Sequence, residues 1–125
     1  MDFKFPKKEK LKSKILIENL FTEGKAVSKY PLKLVYLKTD LIEGVKAQAG
    51  VSVPKRNFKR AVDRNRIKRL MREAYRLNKH LIFNNIEGSY AFMFLYLGKD
   101  IPKNYDELNK SMTKLMQKFI ENKIL

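Results

Sequence analysis

The chain has 125 residues, 44% of them hydrophobic and 33% charged, with no cysteine. That is enough apolar material for one core, and it excludes disulfides, thiolate metal sites and a thiol nucleophile. Twenty-eight Lys and Arg against 13 Asp and Glu give a formal net charge of +15, which selects polyanionic partners such as RNA, DNA or an anionic membrane surface without fixing a fold.

In chain order, residues 1–10, MDFKFPKKEK, read as a basic flexible arm, and residues 11–125 as a single domain. No long apolar stretch with a small-residue cleavage site follows the arm, and no run of about 20 apolar residues occurs anywhere. The expected location is therefore the cytoplasm. A helix is expected over 14–22, with Ser13 as its N-cap and Gly24 as a left-handed exit. Leu16/Leu20 and Ile17/Phe21 are i,i+4 pairs on its apolar face. LKLVYL, 32–37, is rich in branched and aromatic residues and reads as a strand. VKAQAGVSV, 45–53, alternates apolar and polar positions until Pro54 removes a donor. The turn chemistry of KTDLIEG between them predicts an antiparallel hairpin.

A long helix is expected from about Arg60 to Leu81, and SYAFMFLYL, 89–97, reads as a central strand covered on both faces. Asn104 with Glu107 resembles a capping box opening a last helix to about Ile120, with Tyr105, Leu108, Met112, Leu115 and Phe119 on one face. The order α-β-β-α-β-α predicts an α+β fold, a small, mostly antiparallel sheet packed with helices.

The charge is concentrated. Residues 55–79 carry eleven Lys and Arg and two acids, Asp63 and Glu73. At about 100° per residue, Ile67, Leu70, Ala74, Leu77 and Leu81 share one face of the long helix, with Met71 beside it. Lys68, Arg69, Arg72, Arg76 and Lys79 form a stripe on the opposite side. A solvated structural helix mixes signs at i,i+4, and this one does not. Arginine also outnumbers lysine here, which suits bidentate contact with phosphate. The stripe is expected to lie against nucleic acid. Arg64, Asn65 and Arg66 stand at the helix start, where free N–H groups favour anions; Asn65 is equally suited to be the cap.

AVDRNRIKRLMREAYR, 61–76, closely resembles the signature of the bacterial ribonuclease P protein component, with Ala-Val, one variable residue, Arg-Asn-Arg, then Ile-Lys-Arg. LKSKILIENLFTEGKAV, 11–27, resembles that family's N-terminal helix, and AGVSVPKR, 49–56, its Gly-hydrophobic-Ser-Val strand with a following basic pair. The resemblance implies an α+β fold with a left-handed βαβ crossover. It implies a subunit that binds a large catalytic RNA and the 5′ leader of precursor tRNA and assists removal of the leader, with Mg2+ carried by the RNA and no catalytic or metal-binding residue in this chain. By the same resemblance, Lys55, Arg56, Arg64, Asn65, Arg66, Lys68, Arg69, Arg72 and Arg76 are RNA-contacting. Ile17, Phe21 and either Val35 or Tyr36 line a leader cleft between the sheet and the first helix, with isoleucine where the family has an aromatic. NFKR, 57–60, is one residue longer than the family's segment. The expected partners are the catalytic RNA and precursor tRNA, with no membrane, and a monomeric protein.

The main alternative is a general RNA-binding protein of the same size and charge. A protein-only nuclease needs an activated nucleophile or a metal site; the single histidine, His80, ends a basic helix, and the adjacent Asp106 and Glu107 read as first-turn helix acids. A DNA recognition helix lacks its partner helix, since a strand precedes it. A membrane-surface helix does not need this density of arginine.

Overall fold

The computed structural model describes residues 4–124, so residues 1–3 of the expected arm and Leu125 lie outside the described residues. Three helices and four strands follow in order: α1 (Lys14–Glu23), β1 (Lys25–Lys29), β2 (Leu32–Lys38), β3 (Ala47–Ser52), α2 (Ala61–Phe83), β4 (Tyr90–Tyr96) and α3 (Tyr105–Ile124). The fold is α+β, with one strand more than the sequence pattern predicts. β1, KAVSK, buries one apolar residue, Val27, and is otherwise lysine, serine and an exposed alanine. It leaves almost no hydrophobic signal to read.

The sheet order is β1-β2-β4-β3, with β1/β2 and β2/β4 antiparallel and β3/β4 parallel. The expected hairpin between 32–37 and 45–53 does not form, because β4 stands between those strands. The physical reason is apolar content. Every residue of β4 except Leu95 is buried, so it needs a partner on each edge and cover on each face. β3 can take the sheet edge, since Gln48, Gly50 and Ser52 bring only polar or small groups to one face. α2 is then the crossover between parallel β3 and β4.

One face of the sheet meets α2 and α3 in the larger core. There Phe119 packs edge-on against Tyr36, Tyr90 and Phe92, and Tyr75 against Phe94. The other face carries Val35, Ala91 and Met93 beneath Leu11 and Leu20 of the N-terminal part. Helix boundaries follow local chemistry. Leu16 N–H donates to Ser13 Oγ at 3.3 Å at the start of α1, and Glu107 N–H to Asn104 Oδ1 at 2.9 Å at the start of α3. Gly24 ends α1, but its φ of −72° is not left-handed. It is glycine because a Cβ there would stand 2.3 Å from the Leu20 carbonyl oxygen.

Residues 4–12, expected to be mostly a loose arm, form a docked strap. Lys10 bridges Ala49 in parallel, Leu11 N–H donates to Ala49 O at 3.0 Å, and the Gln48 amide donates to Lys8 O at 3.1 Å. Phe5 packs on Tyr75 with ring centres 5.2 Å apart. The strap also moves a charge out of the expected stripe. Lys79 is 2% exposed and its Nζ lies 2.7 Å from Glu9 Oε1, with Glu9 8% exposed; the same ammonium donates to Lys4 O. With Lys79 and Tyr75 buried, the inner face of α2 is rotated from the expected one. It runs through Ile67, Met71, Ala74, Tyr75 and Ile82, while Leu70, Leu77 and Leu81 are only half-buried. Removing one member of a buried pair strands the other charge. Glu9→Ala should therefore cost about 3 kcal/mol, and Glu9→Leu with Lys79→Met should recover most of it. Urea midpoints of the two variants check this; equal losses in both would mean that the charges hold the strap in a way apolar packing cannot replace.

Candidate nucleic-acid interface

α2 begins without a side-chain cap. Arg60 is extended at φ −82°, ψ 128°, and no side chain receives the first-turn N–H groups. Asn65 is therefore not the cap; it sits in the second turn and is exposed. Arg64 turns back instead, donating from one guanidinium nitrogen to Phe58 O at 2.8 Å and Lys59 O at 2.9 Å. Phe58 itself is buried, 5.9 Å from the Tyr96 ring. The NFKR turn is thus pinned from inside by Phe58 and from outside by Arg64, with Lys55 and Arg56 exposed just before it. Arg64 has a structural task the sequence pattern did not reveal.

Asn65, Arg66, Arg69 and Arg72 surround an open concavity of about 550 Å³ together with Arg60, Val62 and Asp63. Asp63 lies toward Arg60, at 3.9 Å, leaving the other three arginines of this groove without a carboxylate at ion-pair distance among the described residues. Lys68 is half-buried at the side. Arg76 is bonded to Glu73 through its guanidinium, so it offers less positive field than Arg69 or Arg72. α3 provides a contrast within the same molecule. Its exposed Lys110, Lys114 and Lys118 are lysines rather than arginines and are flanked by Asp106 and Glu107 before and Glu121 after, which suits a solvated face better than bidentate phosphate contact.

A second concavity of about 270 Å³ lies between the strap, α1 and the sheet. Its wall includes Phe5, Leu11, Ile17, Val51, Tyr75 and Met93, and Lys10, Lys12 and Arg72 are its cations. Burial, with Glu9 nearby, pushes the Tyr75 phenol far above its ordinary value, so it brings no negative charge to this wall. Of the expected cleft residues, Ile17 is on this wall. Phe21 lies one turn further along α1 and is 54% exposed. Val35 is on the sheet face shared with α1, whereas Tyr36 is on the opposite face against Phe119. The alternation of β2 thus puts the two strand candidates on opposite faces of the sheet, and neither lines this concavity. The sequence pattern missed Phe5, Lys10 and Lys12, although aromatic residues set among lysines in the first ten positions were a visible signal. Arg72 lines both concavities, so groove and cleft meet at one side chain.

Among the described residues no group of three His, Cys, Asp or Glu side chains is placed to hold a metal, and no helix is long and apolar enough to cross a membrane. His80 is half-buried near the end of α2, and Asp106 and Glu107 occupy the first turn of α3.

Known proteins resemble this chain in sequence and in fold. The sequence profile of the Ribonuclease P family matches residues 5–120. The ribonuclease P protein component of Porphyromonas gingivalis is 36% identical over 123 residues, covering 96% of this chain and 89% of that one. The same component of Chlorobium phaeobacteroides is also 36% identical, over 88% of this chain and 84% of that one. Among solved structures, the ribonuclease P protein of Thermotoga maritima superposes with a TM-score of 0.71 at 20% identity, over 88% of this chain and 96% of that one. That of Staphylococcus aureus gives 0.70 at 18% identity, over 89% and 94%. A basic groove on an α2 that crosses between parallel strands, a cleft beside it and a match over nearly the full length lead to one assignment: the chain belongs to the bacterial ribonuclease P protein family.

Proposed function

We propose that this chain, as the protein subunit of ribonuclease P, holds the catalytic RNA along the α2 groove and the 5′ leader of precursor tRNA in the cleft beneath α1. The single observation that carries this reading is Arg72, which lines both concavities. RNA bound to Asn65, Arg66 and Arg69 and a strand entering the cleft would meet at that guanidinium. The protein's work is then electrostatic and positional. Its fixed arginines lower the repulsion between two phosphate backbones that must approach each other, and the apolar cleft wall holds the strand leading away from the cleavage site. In this reading the metal-dependent chemistry belongs to the RNA subunit, and the protein donates and accepts no proton in the cleavage step.

The decisive experiment mixes the protein with a bacterial ribonuclease P RNA and precursor tRNA at low magnesium, where the RNA alone is slow. Cleavage at the mature 5′ end is expected only in the mixture; salt-sensitive RNA binding without any gain in cleavage would instead support a general RNA-binding role. Within the groove, Arg69→Ala with Arg72→Ala should lower the salt slope of RNA-subunit binding by roughly 1 to 2 units, as two lost phosphate contacts require. Arg76→Ala, already bonded to Glu73, should change it less. Filter binding across a salt series distinguishes them, and equal slopes for all three proteins would refute the groove. Phe21→Ala should lower affinity for leader-bearing tRNA while changing stability by less than about 1 kcal/mol, because the ring is more than half exposed. Melting curves and binding to mature tRNA separate this from a packing role.

A further inference from the structure

Arg64 stands on the wrong side of α2 for the groove. Ile67, Met71 and Tyr75 come three, seven and eleven positions after it, which is one face of a helix at about 100° per residue, and all three are buried. Val62, Arg66 and Arg69, which wall the groove, lie roughly 140° to 160° around the helix from Arg64, and Arg64 is not among the residues lining that concavity. Its guanidinium is engaged within the fold, where Nη1 donates to two consecutive carbonyls of the entering turn, Phe58 O at 2.8 Å and Lys59 O at 2.9 Å. At the other end of the turn the N–H groups of Asn57 and Phe58 both donate to Pro54 O at 3.3 Å. The N-cap residue of α2, Arg60, makes no side-chain capping bond, so the tie between turn and helix falls to Arg64. What the turn carries is charge. Lys55, Arg56, Lys59 and Arg60 place four exposed cations and no acid within residues 55–60. Arg60 lines the groove beside Asn65 and Arg66. Its contact with Asp63 is 3.9 Å long with the arginine side chain 77% exposed, too open a pair to cancel its charge.

We propose that Arg64 is a positioning residue and makes no RNA contact of its own: it holds the 57–60 turn against the start of α2, so that Lys59 and Arg60 extend the groove as fixed cations. This rests on the groove being the path of the RNA subunit. A loose turn would lose conformational entropy on meeting phosphate, and a turn held in advance does not. The Arg-Asn-Arg segment is then divided in role. Asn65 and Arg66 face the RNA, while Arg64 faces inward and acts on binding through the two cations it sets in place.

Filter binding of the full chain to a bacterial ribonuclease P RNA, across a salt series, tests this by placing Arg64→Met in two backgrounds. One is the wild-type turn; the other is a turn stripped of cations by Lys59→Ala with Arg60→Ala. The stripped turn alone should lower the salt slope by roughly 1 to 2 units. In the wild-type turn, Arg64→Met should weaken binding about fivefold near 0.15 M salt and lower the slope by roughly one unit, the counterion release of one phosphate contact. In the stripped turn the same substitution should change neither, because nothing remains for Arg64 to position. A phosphate contact made by Arg64 itself, or a general loss of stability, would weaken both backgrounds alike, and that result would overturn the proposal. An Arg64→Met protein that binds as the wild type does would overturn it too. Arg64→Gln is polar at its tip and two bonds shorter, and it repeats both comparisons if melting curves show that methionine disturbs the fold. A stripped turn with an unchanged slope would mean that Lys59 and Arg60 meet no phosphate, which leaves Arg64 nothing to position and again overturns the proposal. If Arg69→Ala with Arg72→Ala also left the slope unchanged, the RNA would not lie in the groove at all, and the reading of the groove would fall as well.

Discussion

Strand β4 has almost no side chain that can face water, and the rest of the molecule is arranged around that demand. Its Phe92 and Phe94 need helices on one face, and its Ala91 and Met93 need cover on the other. Both its edges are taken, by antiparallel β2 and parallel β3. A parallel neighbour requires a crossover, and the crossover is α2. The helix that carries the arginines is therefore also the helix that the sheet cannot do without. Its inner face is fixed by Ile67, Met71 and Ala74, and its outer face has its orientation fixed with it.

That dual role explains how charge is distributed along α2. Unpaired like charges destabilise a helix, and this helix tolerates them because tertiary burial holds it. Several of its cations are nevertheless drawn into the fold. Arg64 clamps the preceding turn, Arg76 is held by Glu73, and Lys79 is buried with Glu9. The arginines left open cluster in the N-terminal half, where Arg66, Arg69 and Arg72 share one concavity.

Local signals in the sequence carried far, and non-local ones did not. The start of α1 at Ser13, the cap of α3 at Asn104, the inner face of α3 and the central place of β4 were legible, since each depends on nearby residues or on composition alone. The basic groove was legible as a charge cluster. Pairing order was not, because a hairpin between β2 and β3 satisfies the same local pattern until β4 is considered. β1 was invisible with only Val27 buried. The strap was misread because lysines near a terminus look mobile, and nothing local announces that Glu9 will meet Lys79, 70 residues away. Arg64 matched the signature, but its bonds to Phe58 O and Lys59 O depend on the path of the preceding turn. Val35 and Tyr36 could be separated only once the register of β2 was fixed.

The position of β4 also has a kinetic side. Neither β2 nor β3 has its full set of partners until residues 90–96 have been made, more than two thirds of the way along the 125-residue chain. While the chain is being synthesised, β3 has no strand beside it, and β2 pairs with β1 alone. Contacts this distant in sequence form slowly, and exposed strand edges invite association in the interval. The four-stranded sheet therefore cannot close before β4 is available to stand between β2 and β3.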